Sequence, residues 1–481
     1  SQIVHNRNPT PKSDRLLMSR AMSKGVAVAP ERPVGTAMPF SRHLTRTARL
    51  AGPVILARAG LLVMVAIDSA MLGHYGTLSL AYYAAANAAQ VVMILIGVGL
   101  LQGTTILVAQ AHGAHDRAAC GTYWRVSMVH AAVLGVVMGL LCLLGRWILE
   151  GTGQQPEVAA GGGRVLDMIA WGSPPLLMWV VCSHFLEGIS RPIPGMLVMF
   201  AAVLLNALLN WILIFGNWGG PEMGAEGAAI ATSLVRWVMF GVLLLVVLRL
   251  PDAQALGISR HVPDFWAVSK RLRRIGYPLG AARGLETAAF GALVMFAGHL
   301  GTVPLAAYQI GYNLIGLVFM VAIGTAAASM VRVGNAVGRR NPTDIVRAGW
   351  AGVLLIAFLM ACFAGPFLGL GMPLANLYTD DPAVLPLAAP LIGICGIILM
   401  FDGMQAVLMG ALRGVADVWV PPGLQLISWW CITVPIGYVL AFVVGIGVDG
   451  LMWGILAGAL SASILLAGRF LAVARRPIAR Y

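Results

Sequence analysis

The sequence predicts an all-α integral membrane protein of twelve transmembrane helices in two related halves. Three observations carry this. Apolar residues fill 59% of the 481 positions and charged residues only 11%. The apolar residues gather in runs of about 20 or more, the length that crosses a hydrocarbon core of about 30 Å. A stretch near the start of the chain returns near its middle. A soluble domain carries about 25% charged residues, so this chain lacks the polar surface to face water, and lipid must cover it.

The runs fall near 50–72, 78–106, 124–145, 164–188, 193–216, 225–249, 274–298, 303–331, 346–370, 384–411, 420–445 and 448–471. Sidedness follows from the connections. One set carries Arg42, Arg46, Arg49, Arg117, Arg125, Arg191, Arg249, Arg260, Lys270, Arg271, Arg273 and Arg274. It continues with Arg332, Arg339, Arg340, Arg347, Arg413, Arg469, Arg475, Arg476 and Arg480. The alternate set holds only Arg146 and Arg164 as cations, together with the acidic "YTDDP" around Asp380 and Asp381. An even number of spans with both termini cytoplasmic satisfies this alternation. The net charge of +13 is explained the same way. It does not mark a nucleic-acid binder, because the basic residues lie in short runs between apolar segments and not on one soluble face.

"GHYGTLSLAYY" at Gly73 is echoed by "GHLGTVPLAAY" at Gly298, a shift of 225 residues (298 − 73). The same shift lays Pro53 on Pro278, Arg58 on Arg283, Gly99 on Gly324, Val108 on Val333 and Gly113 on Gly338. Later, "LEGISR" ending at Arg191 echoes "LMGALR" ending at Arg413. A parallel repeat of six spans is a signature of secondary transporters, whose substrate site lies between the halves. The expected division is a polar basic cytoplasmic tail over 1–49, a first lobe over 50–250, and a cytoplasmic linker over 251–273. A second lobe over 274–471 and a basic cytoplasmic tail over 472–481 follow. No cleavable signal peptide is expected in the first segment, which has no apolar core of its own.

Several chemistries find no motif. The three lysines, Lys12, Lys24 and Lys270, do not form GxxxxGK[ST], and there is no HExxH. The six cysteines include no CxxC, so free thiols are expected, with no metal centre and no disulfide framework.

The informative residues are the charges inside apolar runs: Arg58, Asp68, Arg236, Arg283, Glu286 and Asp402, with Glu187 near a span end. Each costs about 2.5–3.5 kcal/mol at mid-helix on an insertion scale. They must therefore pair, face water, or both. Arg283 and Glu286, three residues apart, share a helix face and can pair in cis. That does not explain Arg58, which has no carboxylate at i+3 or i+4 and whose next acid, Asp68, is about 15 Å along the helix. Asp68 and Asp402 have no basic neighbour one turn away. Burial disfavours the charged form of a carboxylate, so a lone membrane acid can trade a proton for a cation. The alternative is a hydrogen-bonded packing residue. Asn206 and Asn210 share one helix face and serve equally well as interhelical glue or as cavity lining. His74 and His299 read as turn residues, and "GVVMG" at Gly135 as a close-packing motif.

Five stretches together resemble the multidrug and toxic compound extrusion (MATE) family of cation-coupled antiporters. They are "VAIDSAMLGHYG", "NWGGPEMGAEGAAIAT", "RIGYPLGAARGLETAAF", "AAYQIGYNLIGLVFMVAIGTAAASMVRVGNAVG" and "FDGMQAVLMGALRGVADVW". The resemblance runs from Leu50 to Arg469 and implies a V-shaped pair of six-helix lobes with alternating access to a central cavity. By position it implies coupling acids at Asp68, Glu286 and Asp402, with Asn206, Asn210 and Thr232 beside Asp68. Arg58 and Arg283 have no counterpart in the family pattern and are candidates to face the cavity.

The expected function is a secondary active transporter. It exports organic, cationic, drug-like compounds by antiport with protons or sodium. The alternative is a flippase or exporter of an anionic or lipid-linked substrate in the same superfamily, motivated by the two arginines. A structural or channel protein is the third class. No enzymatic activity and no cofactor are expected, the coupling ion being a proton or a sodium ion at the coupling acids. The expected partners are a small organic substrate and the bilayer, with no nucleic acid. A monomer is expected, multi-pass in the cell membrane (the inner membrane in a bacterium).

Overall fold

The computed structural model describes residues 38–474 apart from 259, 261 and 263. Residues 1–37 of the expected 1–49 tail, with Lys12 and Lys24, lie outside the described residues. So do Arg475, Arg476 and Arg480 of the C-terminal tail.

Among the described residues, eleven helices are long and apolar enough to cross a membrane, and a bent helix pair makes a twelfth span. In chain order they are α1 (Phe40–Tyr75), α2 (Thr77–Gly113), α3 (Arg117–Leu143) and the bent α4 (Pro156–Ala170 with Ser173–Gly188). Next come α5 (Ile193–Phe215), α6 (Gly224–Leu248), α7 (Phe265–His299), α8 (Thr302–Gly338) and α9 (Pro342–Gly369). The last three are α10 (Leu385–Gly414), α11 (Val420–Val443) and α12 (Val448–Ala474). The protein is all-helical and multi-pass.

Two helices begin earlier than the hydropathy suggests. α1 starts at Phe40, inside the expected tail, and α7 starts at Phe265, inside the expected linker. Both extensions are amphipathic and basic, so their arginines hide them from an apolar-run criterion. In α1, His43, Thr47 and Leu50 are buried while Arg42, Arg46 and Arg49 are exposed, a clean helical period. α7 is capped by the Asp264 side chain, which accepts from the Ala267 N–H. α4 bends by 53° where Pro174 and Pro175 open its second piece. Prolines are tolerated there because the first-turn N–H groups have no helical partner. Gly135 and Gly139 of the "GVVMG" motif pack against Pro174 and Ala170 at this break, where any side chain would collide with backbone.

Each half has its own core. Trp124, Phe185, Leu186 and Met199 fill the first; Tyr308, Met360, Leu391 and Phe470 fill the second. Outward-facing Leu204 (74% exposed) and Phe358 (66%) leave an apolar perimeter for lipid.

The halves meet along two seams, α1 against α8 and α2 against α7, and where the end of α2 crosses α8. Exchanging the halves by the 225-residue shift (298 − 73) maps one seam onto the other. Gly99 packs on Gly280, and its mate Gly324 packs on Ile55; Gly113 packs on Asn335, and its mate Gly338 packs on Gln110. Only glycine permits backbones this close. The same exchange relates the donors of two polar contacts. Gln110 Nε2 donates to the Gly414 carbonyl at 3.0 Å, and Asn335 Nδ2 donates to Ser190 Oγ at 3.2 Å. His43, Arg332 and Asp344 add a third tie, with His43 Nε2 3.3 Å from Asp344 and Arg332 Nη2 3.3 Å from His43 Nδ1. These ties all lie at the end of the molecule that carries the arginine-rich loops, here called the basic end.

Candidate functional site

In the first half, four helices converge on one acid. Asp68 of α1 is 1% exposed. Tyr83 of α2 donates its hydroxyl to Oδ2 at 2.7 Å, Asn210 of α5 donates to Oδ1 at 2.5 Å, and Thr232 of α6 donates to Oδ2 at 3.4 Å. Asn206 stands behind them. Its Nδ2 donates to Thr232 at 3.4 Å and its Oδ1 accepts from Asn210 at 3.3 Å. The three direct donors are neutral. One turn beyond Thr232, Arg236 donates to Gln90 Oε1 at 3.2 Å. A carboxylate in such a cage is held in place by hydrogen bonds, and its oxygens and the amide oxygens of Asn206 and Asn210 are acceptors of the kind that can meet a cation.

In the second half the acids are two. Glu286 of α7 accepts from Arg283 Nη1 at 2.8 Å, the cis pair that the spacing allows. Gln425 of α11 donates to Glu286 at 3.4 Å and to Gln405 Oε1 at 3.2 Å. Gln405 of α10 donates to Asp402 Oδ1 at 2.9 Å. Two amides therefore connect Glu286 to Asp402 in one hydrogen-bonded line. Gln425 sits two residues before a π-helical stretch, Ile427–Thr433, a feature that often marks functional positions in helices.

Arg58 belongs to neither cluster. It reaches across to α4 and pairs with Glu187 at 3.5 Å, and Ser183 Oγ also approaches Glu187, at 3.4 Å. The unexplained arginine and the span-end acid answer one another, a pairing 129 residues apart that no local spacing reveals. His74 and His299 sit in the last turns of α1 and α7. Each ring Nδ1 lies 2.8 Å from the carbonyl four residues earlier, Ala70 and Met295.

The MatE family profile matches residues 53–212 and 278–439, once in each half. The chain belongs to the MATE family of multidrug efflux transporters. Among MATE relatives, it is 35% identical over 452 residues to the probable multidrug resistance protein NorM of Caulobacter vibrioides, covering 93% of this chain and 94% of that one. It is 33% identical to the probable multidrug resistance protein NorM of Bradyrhizobium diazoefficiens, covering 90% and 94%. Its fold is similar to that of the eukaryotic MATE transporter AtDTX14, with a TM-score of 0.82 at 22% identity, over 91% of this chain and 96% of that one.

The residues expected at the site fall into two clusters and one separate pair. Asp68, Asn206, Asn210 and Thr232 form one cluster; Glu286, Asp402 and Arg283 form the other; Arg58 stands apart with Glu187. Sequence reasoning missed Tyr83, Gln405 and Gln425. Tyr83 lies in the repeated "LAYY" stretch and Gln405 lies three residues after Asp402, so both left a signal. Gln425 left none.

Proposed function

We propose that the protein exports organic, cationic, drug-like compounds in exchange for protons or sodium by alternating access. The observation that carries this reading is a buried acid cluster in each half, built from side chains that can hold either a proton or a cation. Asp68 serves one cluster; Glu286 and Asp402 serve the other. In this reading the lobes over 50–250 and 274–471 rock against each other along the glycine seams. The basic end is cytoplasmic, as the positive-inside rule requires, and the seam ties close that end. The described state then faces outward. Arrival of the coupling ion at the acids weakens the hold on a cationic substrate and releases it. One charge crossing 100 mV supplies about 2.3 kcal/mol, enough for a roughly 50-fold gradient of a neutral substrate.

The anionic or lipid-linked alternative rested on Arg58 and Arg283. Each has a carboxylate partner, Glu187 and Glu286, which accounts for both without a phosphate substrate. The test is efflux of a cationic dye from proteoliposomes under an imposed proton or sodium gradient. Gradient-driven efflux in the wild type, lost in an Asp402→Asn, Glu286→Gln double variant, is the expected result. Undiminished efflux in that variant rejects the proposal.

A further inference from the structure

The first turns of α1 present two faces. His43 and Thr47 are buried, and His43 ties the helix to Asp344 and Arg332 at the seam. On the other face, Arg42, Arg46 and Arg49 are exposed and line, with Pro39, Ser41 and Thr45, an open groove of about 580 Å³. Among the described residues, none of the three arginines has a carboxylate partner. Arg46 donates only to the thioether of Met38, at 3.4 Å. Their surroundings add positive charge. Arg332, Arg339 and Arg347 lie at the neighbouring ends of α8 and α9, with Asp344 as the acid among them. The corresponding start of α7 differs: Arg271, the repeat mate of Arg46, donates to Tyr123 at 3.0 Å.

The position of the row decides what can neutralise it. Arg49 is followed directly by the apolar run from Leu50, and the outward-facing Leu56 lies about 10 Å further along the helix. The row therefore sits where a bilayer places its headgroups, and guanidinium groups pair well with phosphate there. We propose that Arg42, Arg46 and Arg49 bind the phosphate of anionic phospholipid headgroups in this groove. The bound lipid braces the start of α1 at the membrane surface.

The test titrates short-chain phosphatidylglycerol or phosphatidylcholine into the purified full-length protein. Native mass spectrometry reads the bound lipid and thermal unfolding reads the brace. Phosphatidylglycerol should bind and raise the melting temperature, and phosphatidylcholine should not. The triple variant R42Q/R46Q/R49Q should bind phosphatidylglycerol roughly 100-fold more weakly, from the attraction of each arginine to an anionic surface. R42K/R46K/R49K should keep most of the affinity. If the triple glutamine variant fails to fold, R46Q alone should weaken binding about fivefold. Unchanged binding in the glutamine variants, or equal binding of phosphatidylcholine, overturns the proposal. Protection by inorganic phosphate equal to that by phosphatidylglycerol overturns the lipid assignment.

Discussion

Asp68 is a buried acid and Glu286 a partly buried one; both stand on repeated helices, yet they are satisfied differently. Asp68 takes its hydrogen bonds from a tyrosine, an asparagine and a threonine contributed by three other helices. Glu286 has an arginine one turn away on its own helix and, through Gln425 and Gln405, a second carboxylate at the end of a line of amides. The repeat does not impose this difference. The 225-residue shift (298 − 73) lays Asp68 on Leu293 and Glu286 on Leu61, so each half has built its own acid site on a shared scaffold. The Asp68 site is held directly by neutral donors, and its buried cation, Arg236, is hydrogen-bonded to Gln90 and acts on Asp68 only through space. The Glu286 site carries one paired arginine for two acids.

Replacing Asp68 with Asn should lower gradient-driven efflux at least about a hundredfold, equivalent to about 2.7 kcal/mol, matching the loss in the Glu286→Gln, Asp402→Asn pair. If only one site matters, one of the two variants will transport normally. Arg58→Gln leaves Glu187 buried without its cation and should cost about 3–5 kcal/mol of stability in a denaturation experiment. Adding Glu187→Gln should recover most of it. No recovery would mean that the pair is not what holds Arg58.

Tyr83→Phe removes the hydroxyl that meets Asp68 at 2.7 Å. A hydrogen bond to a charged group is worth about 1.5–3 kcal/mol, so coupling-ion affinity at the first site should change at least tenfold, read by ion dependence of efflux. The smallest effect is expected from Gln425→Leu, which breaks the line between Glu286 and Asp402 but spares both acids. Efflux should fall about threefold to tenfold, the range of a neutral hydrogen bond of about 0.5–1.5 kcal/mol. The ion dependence carried by Asp68 should stay as in the wild type.

The fold was largely legible because span length, loop charge and the internal repeat are properties of local sequence. Their failures are also local. Arg42, Arg46 and Arg49 masked the start of α1, and the run from Lys270 to Arg274 masked the start of α7. The acids were legible because charge in an apolar run is costly enough to demand a reason. Their partners were less so. Tyr83 is one of two adjacent tyrosines, and helical phase alone did not say which faces Asp68. Gln425 meets Glu286 from a helix 139 residues on, and Glu187 meets Arg58 from 129 residues away. Those contacts are products of packing between helices, which a single sequence does not specify.

Two acid sites that each exchange a coupling cation for substrate can be told apart by counting cations. Binding of a cationic substrate to purified protein should displace protons or sodium, measured by calorimetry in buffers of different ionisation enthalpy and by a sodium electrode. The account predicts displacement in the wild type, a partial loss in Asp68→Asn, a partial loss in Glu286→Gln with Asp402→Asn, and none when all three acids are replaced. Displacement that survives loss of all three, or substrate binding that displaces no cation in the wild type, would contradict it.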